Sequence, residues 1–426
     1  MSRLRTEIKR HGDVPTLFVN DAPTTGLMYW SRDLQTEDIR RFGEAGVRLY
    51  SFLGNIDLGD PEGTLVHDGC RLCTIMTPAY IDSVMERVPA ANPDALLIPR
   101  FRLQASDMWK ESNPGCLMRW FDLETNQFAD GTMASLGLGP WIDDALNALA
   151  RSVAYCEERW GEHIAGYHSG FGHCAEHVSW WGPVVADYHP AMRQQFRDWL
   201  RQQYGTESAL GAAWKEPGLT FETAEFPAPE RFATFTPASA ALMNPEREQP
   251  LVDMERFHSE HMAGLVVRQA RTVKDVLRAR DSRKLFGAFY CYSNLPANSI
   301  SHYAGGQDAH QPVLDCADLD YISAPVGYSA RQPGGVSTGQ TQPGSVVLAG
   351  KLYFAEDDTG TLSPRPPTTP WRRPPRSPAR CSPAGSWMSG AAAAPSGSWT
   401  SSGKANTATR RSWGPSTSWR RSRSAI

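Results

Sequence analysis

Two acidic residues follow apolar segments that have the composition of buried strands. Glu176 lies in "GYHSGFGHCAEHVSWW", and Glu356 is the first of three consecutive carboxylates in "KLYFAEDDT". In a barrel of alternating strands and helices, the carboxyl ends of the strands converge on one cleft. Two carboxyl groups that meet in such a cleft suit glycoside hydrolysis, in which one donates a proton and the other attacks the anomeric carbon or activates water. A loop carboxylate paired with a histidine is the competing interpretation of Glu176, and a salt bridge is that of Glu356.

Four other residues are candidates for contacts in the same cleft. Arg100 and Arg102 belong to "RFR", where strand alternation points both side chains the same way. Either guanidinium group could hold a carboxylate in its ionised form, and a structural ion pair explains them equally well. We place Tyr321 near the end of a later strand, from which its hydroxyl group could donate to Glu356. Trp180 is either a flat surface for a sugar ring or a cover of the core.

The histidines around Glu176 also invite a metal interpretation, because His168, His173, Cys174 and His177 lie within ten residues. Their spacing matches neither H-E-x-x-H nor a zinc-finger pattern. We therefore predict no metal site and no cofactor.

The elements that must position these residues alternate between short apolar runs and longer amphipathic segments. We predict seven strands, near residues 26, 47, 96, 164, 285, 320 and 352, each accompanied by a helical segment. Apolar strands that do not alternate indicate a parallel sheet, and this chain length favours a (β/α)8 TIM-type barrel that is incomplete, with about seven strands. A doubly wound sheet is the alternative, but no glycine-rich phosphate fingerprint follows the first strand. Residues 216–250, rich in Pro and Glu, are predicted to be loops.

The C-terminal segment has a different character from the rest. Residues 361–426 hold ten Arg, one Lys and no Asp or Glu, whereas the other 360 residues hold 32 Lys and Arg against all 46 Asp and Glu. The segment has no apolar periodicity from which to build a strand or a helix, so we predict a barrel domain over residues 1–360 and a disordered basic tail over 361–426. Its Arg, Pro, Ser and Trp content is typical of a GC-rich gene read out of frame; a tail that binds nucleic acid is the competing interpretation.

Several quoted motifs together resemble a known family. "VPTLFVNDAPTTGLMYW", "LLIPRFRL", the segment around Glu176, "FRDWLRQQYGTESALGAAW" and "KLYFAEDDT" are similar to the barrel domain of family 42 glycoside hydrolases, the β-galactosidase-like group. The resemblance runs from about residue 12 to residue 360. It implies a retaining hydrolase with Glu176 as acid/base and Glu356 as nucleophile.

One departure from the family pattern concerns the residue before the acid/base. Family members carry Asn there, whereas this chain has Ala175, so the usual hydrogen bond to the sugar 2-hydroxyl needs another donor. Either this hydrogen bond is missing or another group supplies it, and His173 is the candidate for that role. The strand that would close the barrel should stand where the basic segment begins.

The resemblance and the composition together imply a carbohydrate partner, a β-galactoside or a related glycoside. The acidic main body argues against a nucleic-acid ligand, and no stretch is apolar enough to enter a membrane. The charged N-terminus and scattered cysteines predict a cytoplasmic protein, and a homo-oligomer is one assembly that the sequence allows. A carbohydrate-binding protein without turnover, its barrel being truncated, is the alternative function.

Overall fold

The computed structural model describes residues 4–59, 65–67, 72–179, 184–233, 243–292, 305–327, 334–335, 339–358 and 386–390. The strands are β1 (Thr6–His11), β2 (Val14–Val19), β3 (Ala22–Pro23), β4 (Leu27–Trp30), β5 (Leu49–Ser51), β6 (Leu53–Asn55), β7 (Leu65–His67), β8 (Leu72–Thr74), β9 (Leu96–Leu97), β10 (Arg100–Arg102), β11 (Leu117–Asp122), β12 (Gln127–Ala134), β13 (Gly166–Gly170), β14 (Val184–Val185), β15 (Leu285–Phe289), β16 (Tyr321–Pro325), β17 (Leu352–Asp357) and β18 (Ser386–Gly390). The helices are α1 (Thr36–Glu44), α2 (Pro78–Ala91), α3 (Asp107–Ser112), α4 (Gly139–Trp160), α5 (Pro190–Tyr204), α6 (Glu207–Trp214), α7 (Glu230–Ala233), α8 (Pro245–Arg278), α9 (His310–Leu314) and α10 (Pro343–Leu348).

Seven strand positions form a continuous parallel array, in chain order β4, β5 with β6, β9 with β10, β13, β15, β16 and β17. At two of these positions, β5 with β6 and β9 with β10, one strand is divided into two segments by a short break. The N–H of Ile98 donates to Tyr50 O and that of Arg100 to Phe52 O, both at 2.8 Å, so the ladder continues across the break. All seven predicted strands are confirmed, and so is the barrel-type α/β class.

The prediction that the C-terminal segment forms no strand was wrong at the eighth position of the array. Residues Ser386–Gly390 form β18, which pairs antiparallel with β17 on one side and with β4 on the other. No eighth parallel strand is present among the described residues, so the parallel array itself is incomplete, as predicted. The remainder of the basic segment, and with it the predicted disorder, lies outside the described residues.

Burial explains why these segments became strands and helices. All five residues of β13 and of β15 are buried, as expected for strands covered on both faces. In α4 the residues at helical spacing, Ile142, Leu146, Leu149 and Val153, are all buried. Each such side chain contributes about 1.5–3 kcal/mol when it is fully removed from water. The apolar stripe therefore fixes α4 against the outside of the array.

The predicted loop region 216–250 is only partly a loop. It contains the short helix α7 and the first turns of α8, where Glu248, two residues before Pro250, has non-helical backbone angles. Asn244 caps α8, since its side chain accepts a hydrogen bond from the N–H of Glu246. The proline-rich composition hid this helix start, because proline is well tolerated in a first helical turn.

The N-terminal hairpin of β1 and β2 contacts the array at the ends where its strands begin. The N–H of Thr6 donates to Arg283 O at 2.9 Å, and the Lys284 ammonium group donates to Leu4 O and Gly161 O at 2.7 Å. These contacts lie just before β13 and β15. The hairpin thus occupies the amino-terminal side and leaves the carboxyl ends of the strands to form the site.

None of the helices within the described ranges is long and apolar enough to span a membrane.

Gly287 offers a test of the packing inside the array. A Cβ atom there would lie 2.1–2.3 Å from three ring atoms of the fully buried Tyr321. We expect Gly287→Ala to lower the free energy of unfolding by roughly 1–3 kcal/mol, the usual cost of overpacking. Gly264, in α8, has open space at that point, so Gly264→Ala should raise the free energy of unfolding by up to about 1 kcal/mol through helix propensity. Urea unfolding measures both, and equal midpoints for the two variants would contradict this packing.

Candidate active site

Glu176 stands on a tight turn that follows β13. Gly172, Cys174, Ala175 and His177 all have left-handed backbone angles, with φ between 54° and 75°. The turn folds back on itself, since the N–H of His177 donates to Phe171 O at 2.9 Å and that of His173 to Val178 O at 2.7 Å. Non-glycine residues adopt this conformation at a cost of about 1–2 kcal/mol each, and such strain concentrates at functional sites.

Neighbouring backbone leaves the turn no room to relax. A Cβ atom on Gly170 would lie 1.9 Å from Ala175 O, and one on Gly172 would lie 2.5 Å from Val178 O. Because both obstacles are backbone atoms, they cannot rotate away as a side chain would. Two glycines therefore permit the close approach that presents Glu176 to the carboxyl ends of the strands.

The carboxyl group of Glu176 is arranged to keep its proton at neutral pH. Burial is the largest cause and the negative charge of Glu356 the next, and together they raise the pKa of Glu176 to about 8. The charge of Arg100 and a hydrogen bond from Tyr292 act in the opposite direction. That hydrogen bond runs from the Tyr292 hydroxyl group to Glu176 Oε2 at 3.2 Å. A proton donor needs this kind of environment.

Glu356 is the inward-facing member of its acidic run. It is 4% exposed, whereas Asp357 and Asp358 are only partly buried. Arg100 Nη1 lies 3.9 Å from Glu356 Oε1, and the Arg100 side chain is also buried. The guanidinium carbon of Arg100 lies 4.8 Å from the Trp30 ring centre and 4.2 Å from that of Phe289. A cation held between two aromatic rings thus accompanies the Glu356 carboxylate.

A buried polar layer lies deeper in the array, nearer to where the strands begin. His168 is in register with Arg100, and its Nδ1 atom lies 3.2 Å from the Tyr321 hydroxyl group. Burial, followed by the charge of Arg100, holds the pKa of His168 well below its usual range. His168 is therefore neutral and adds no charge beneath the two carboxyl groups.

The predicted location of Tyr321 was wrong. It is the first residue of β16 rather than a residue near the end, and four positions separate it from Pro325, the residue in register with Glu356. Its hydroxyl group donates to Tyr167 O at 3.2 Å. The prediction took the strand to begin before Tyr321, within "DLD", whereas β16 begins at Tyr321 itself. Tyr321 therefore lies at the amino end of the strand and not at its carboxyl end.

The other predicted substrate contacts have mixed outcomes. Arg102 is buried, and its guanidinium group contacts the Cys73 thiol. His173 is buried in the turn beside Glu176. Trp180 lies outside the described residues. The roles of these three in binding a sugar stay predictions.

His177 proved to be a support of the turn rather than a partner of the Glu176 carboxylate. Its Nδ1 atom lies 2.8 Å from Phe289 O and must donate to this carbonyl group, so Nε2 accepts from the Gln269 amide at 2.7 Å. Gln269 also accepts from the Ser169 hydroxyl group at 2.7 Å. Burial lowers the pKa of His177 to about 4, which keeps it neutral.

Sequence reasoning missed the two glutamines that hold this region. Gln269 comes from the middle of α8, and Gln307 donates to the backbone carbonyl groups of Glu176 and His177. No signal in the sequence marks either residue, because glutamine carries no charge and both lie far from Glu176 along the chain. Tyr292, which donates to Glu176 Oε2, also has no signal in the sequence that marks this contact.

No group of three potential metal ligands comes together in the part of the chain that the structure describes.

Comparison with known proteins bears on the family. The family model described as Beta-galactosidase, glycoside hydrolase family 42, matches residues 180–297. Over these residues the chain is similar to the family 42 glycoside hydrolases. The resemblance inferred from its motifs is thereby confirmed, although the matched range contains neither Glu176 nor Glu356. No curated protein matches the sequence at a significant level.

Solved structures support the fold. The catalytic domain of β-amylase from Paenibacillus polymyxa is 14% identical, with a TM-score of 0.54 over 79% of this chain and 88% of that one. The β-galactosidase from the psychrophilic Marinomonas ef1 is 14% identical with a TM-score of 0.45, and that from Rahnella sp. R3 is 17% identical with a TM-score of 0.45. The alignments cover 70% and 72% of this chain, and 40% of each β-galactosidase. This chain thus spans less than half the length of those enzymes.

The mutual influence of the two carboxyl groups can be measured directly. We expect Glu356→Gln to lower the pKa of Glu176 from about 8, because it removes a negative charge, and Tyr292→Phe to raise it, because it removes a hydrogen bond to the ionised form. Carboxyl ¹³C NMR of glutamate-labelled protein, with Glu176→Gln to assign the signal, follows the titration.

A matched control is needed because the pKa of Glu255 is also raised to about 8, by burial and by Asp308. Glu255→Gln should remove one titrating signal and leave that of Glu176 in place. If Glu356→Gln left the Glu176 titration unchanged, the two groups would not interact.

The same pKa affects stability. The folded chain keeps a proton on Glu176 up to about pH 8, whereas the unfolded chain releases it near pH 4.5, so ionisation of this group destabilises the fold as pH rises between these values. We expect Glu176→Gln to unfold at a higher urea concentration than the wild type at pH 8 and at a similar one at pH 4. A difference that did not grow with pH would contradict the raised pKa.

Proposed function

We propose that the protein is a retaining glycoside hydrolase that acts on β-galactosides or closely related glycosides. The observation that carries this proposal is a pair of carboxyl groups at the carboxyl ends of two strands of the parallel array: the partly buried Glu176, on the turn after β13, and the buried Glu356, near the end of β17. One of them, Glu176, is protonated at neutral pH under the influence of the other, and Glu356 has a guanidinium group beside it. The relation to family 42 supports the substrate class.

The reaction that follows from this arrangement has two steps. Glu356 attacks the anomeric carbon while the bond to the leaving oxygen breaks, and that oxygen takes the proton of Glu176. In the second step a water molecule gives a proton to the Glu176 carboxylate and attacks the anomeric carbon, which releases Glu356. Each carboxyl group ends in its starting state, and no cofactor takes part.

The electrostatics favour the change of role that Glu176 undergoes. Once Glu356 is esterified to the sugar, its negative charge is gone, and one of the causes that raise the pKa of Glu176 disappears. Glu176 then holds its proton less strongly and suits a general base better. Arg100 is proposed to stabilise the charge that returns to Glu356 when the ester breaks.

Hydrolysis of a chromogenic β-galactoside tests the proposal. We expect Glu356→Gln to lower kcat by about a thousandfold or more, because the covalent step requires the nucleophile. Asp357→Asn, a neighbouring carboxylate change on the other side of β17, serves as the matched control and should retain most of the activity. Circular dichroism checks that both variants are folded.

The outcome also separates hydrolysis from binding alone. Proton NMR of the first product should show the anomer of the substrate, as retention requires. If the wild-type chain bound galactosides without turnover, or if Glu356→Gln kept full activity, the proposed hydrolase mechanism would be wrong.

A further inference from the structure

Gln307 connects the two strand ends that meet at Glu176. Its side chain is fully buried. Nε2 donates to Glu176 O at 2.7 Å and to His177 O at 2.8 Å, and Oε1 accepts from the N–H of Tyr292 at 3.3 Å. One amide group therefore binds the backbone of the turn after β13 and the backbone of the segment after β15. Both donor hydrogens and the acceptor of the amide are used.

The backbone around Gln307 is held from the side of α8, away from the two carboxyl groups. The Tyr290 hydroxyl oxygen lies 3.0 Å from Ser259 O and 3.1 Å from Gly306 O, so its one hydrogen is shared between these two carbonyl groups. The N–H of Asp308 donates to Ser259 Oγ at 3.3 Å. Gly306 has a φ of 74°, and a Cβ atom there would lie 3.0 Å from His258 O. The glutamine thus has a firm base against α8.

The Tyr292 contact makes the arrangement relevant to chemistry. Tyr292 donates to Glu176 Oε2, so Gln307 binds both the backbone that carries this carboxyl group and the backbone that carries its hydrogen-bond donor. The distance between the Tyr292 hydroxyl group and Glu176 depends on where these two backbone segments lie. Gln307 binds both segments directly, alongside the contact between His177 and Phe289 O.

We propose that Gln307 is a positioning residue for Glu176, which holds the proton donor and its Tyr292 partner in the geometry that proton transfer requires. The inference rests on the proposed role of Glu176. Gln307 touches only backbone atoms here and acts through the two residues that it binds.

The variant Gln307→Met tests this role, since methionine has a similar length but offers no amide. We expect kcat to fall about tenfold to a hundredfold, the scale that misplacement of a catalytic group produces, with KM changed less than kcat. Weakening of the Tyr292 hydrogen bond should also raise the pKa of Glu176 and move the alkaline limb of the kcat/KM profile to higher pH. Charges at Glu356, Arg100 and Asp358 also influence Glu176, and none of them is altered in this variant.

Gln195→Met is the matched control, because Gln195 likewise donates its amide to a carbonyl group, Gly137 O, but on α5 away from the site. It should retain the wild-type kcat and pH profile even if its thermal midpoint falls. If Gln307→Met does not fold, Gln307→Leu takes its place, because leucine also lacks the amide and adds no charge near Glu176, and the same shifts are expected for it.

The titration of Glu176 by ¹³C NMR, without substrate, separates this inference from the proposed function. A Glu176 pKa that rises in Gln307→Met supports positioning even if the wild-type chain hydrolyses no galactoside. An unchanged pKa, or a kcat loss no larger than in Gln195→Met, would overturn it.

Discussion

The site depends on the electrostatic interaction between the carboxyl groups of Glu356 and Glu176. Two ionised carboxylates would repel each other there, so one of them keeps its proton. Burial is the largest cause that raises the pKa of Glu176, and the Arg100 guanidinium group lies 3.9 Å from Glu356 Oε1. The rest of the site either removes competing charge, as the neutral His168 and His177 do, or fixes the position of Glu176.

The position of Glu176 is fixed mostly through contacts of the backbone that carries it. The turn after β13 relies on two glycines and several left-handed residues, and it is bound from outside by the amides of Gln269 and Gln307. Such a turn stores strain that the surrounding contacts must offset. The carboxyl group at its tip is consequently placed by the fold rather than by the flexibility of its own side chain.

Much of the architecture could be predicted because it follows from local patterns. Strands buried on both faces are continuous apolar runs, and the stripe of α4 has helical spacing, so both leave a clear signal. Glu176 and Glu356 could be selected as candidates because strand ends indicate which acidic residues face the cleft of a barrel, and in the structure the charge of Glu356 does act on Glu176. The alternation in "RFR" marked Arg100 and Arg102 together as candidates, and only Arg100 has a contact with Glu356 among the ion pairs of the described residues.

What escaped prediction depends on contacts between distant parts of the chain. Gln307 lies 131 residues from Glu176, and a neutral amide bound to carbonyl groups leaves no periodicity or charge pattern. Tyr321 was placed at the wrong end of its strand because composition does not fix strand boundaries to within a few residues. The strand β18 forms in a segment without apolar periodicity. It pairs with the edges of β4 and β17, which would otherwise have unpaired backbone N–H and C=O groups. Such backbone pairing leaves no pattern in the sequence.

The helix α8 has a consequence for how the site would respond to disturbance. It binds the turn after β13 through Gln269, and it anchors the backbone around Gln307 through Ser259. Both supports of the Glu176 turn thus depend on the same helix. A displacement of α8 would move Gln269 and Ser259 together, and the position of Glu176 would change with them.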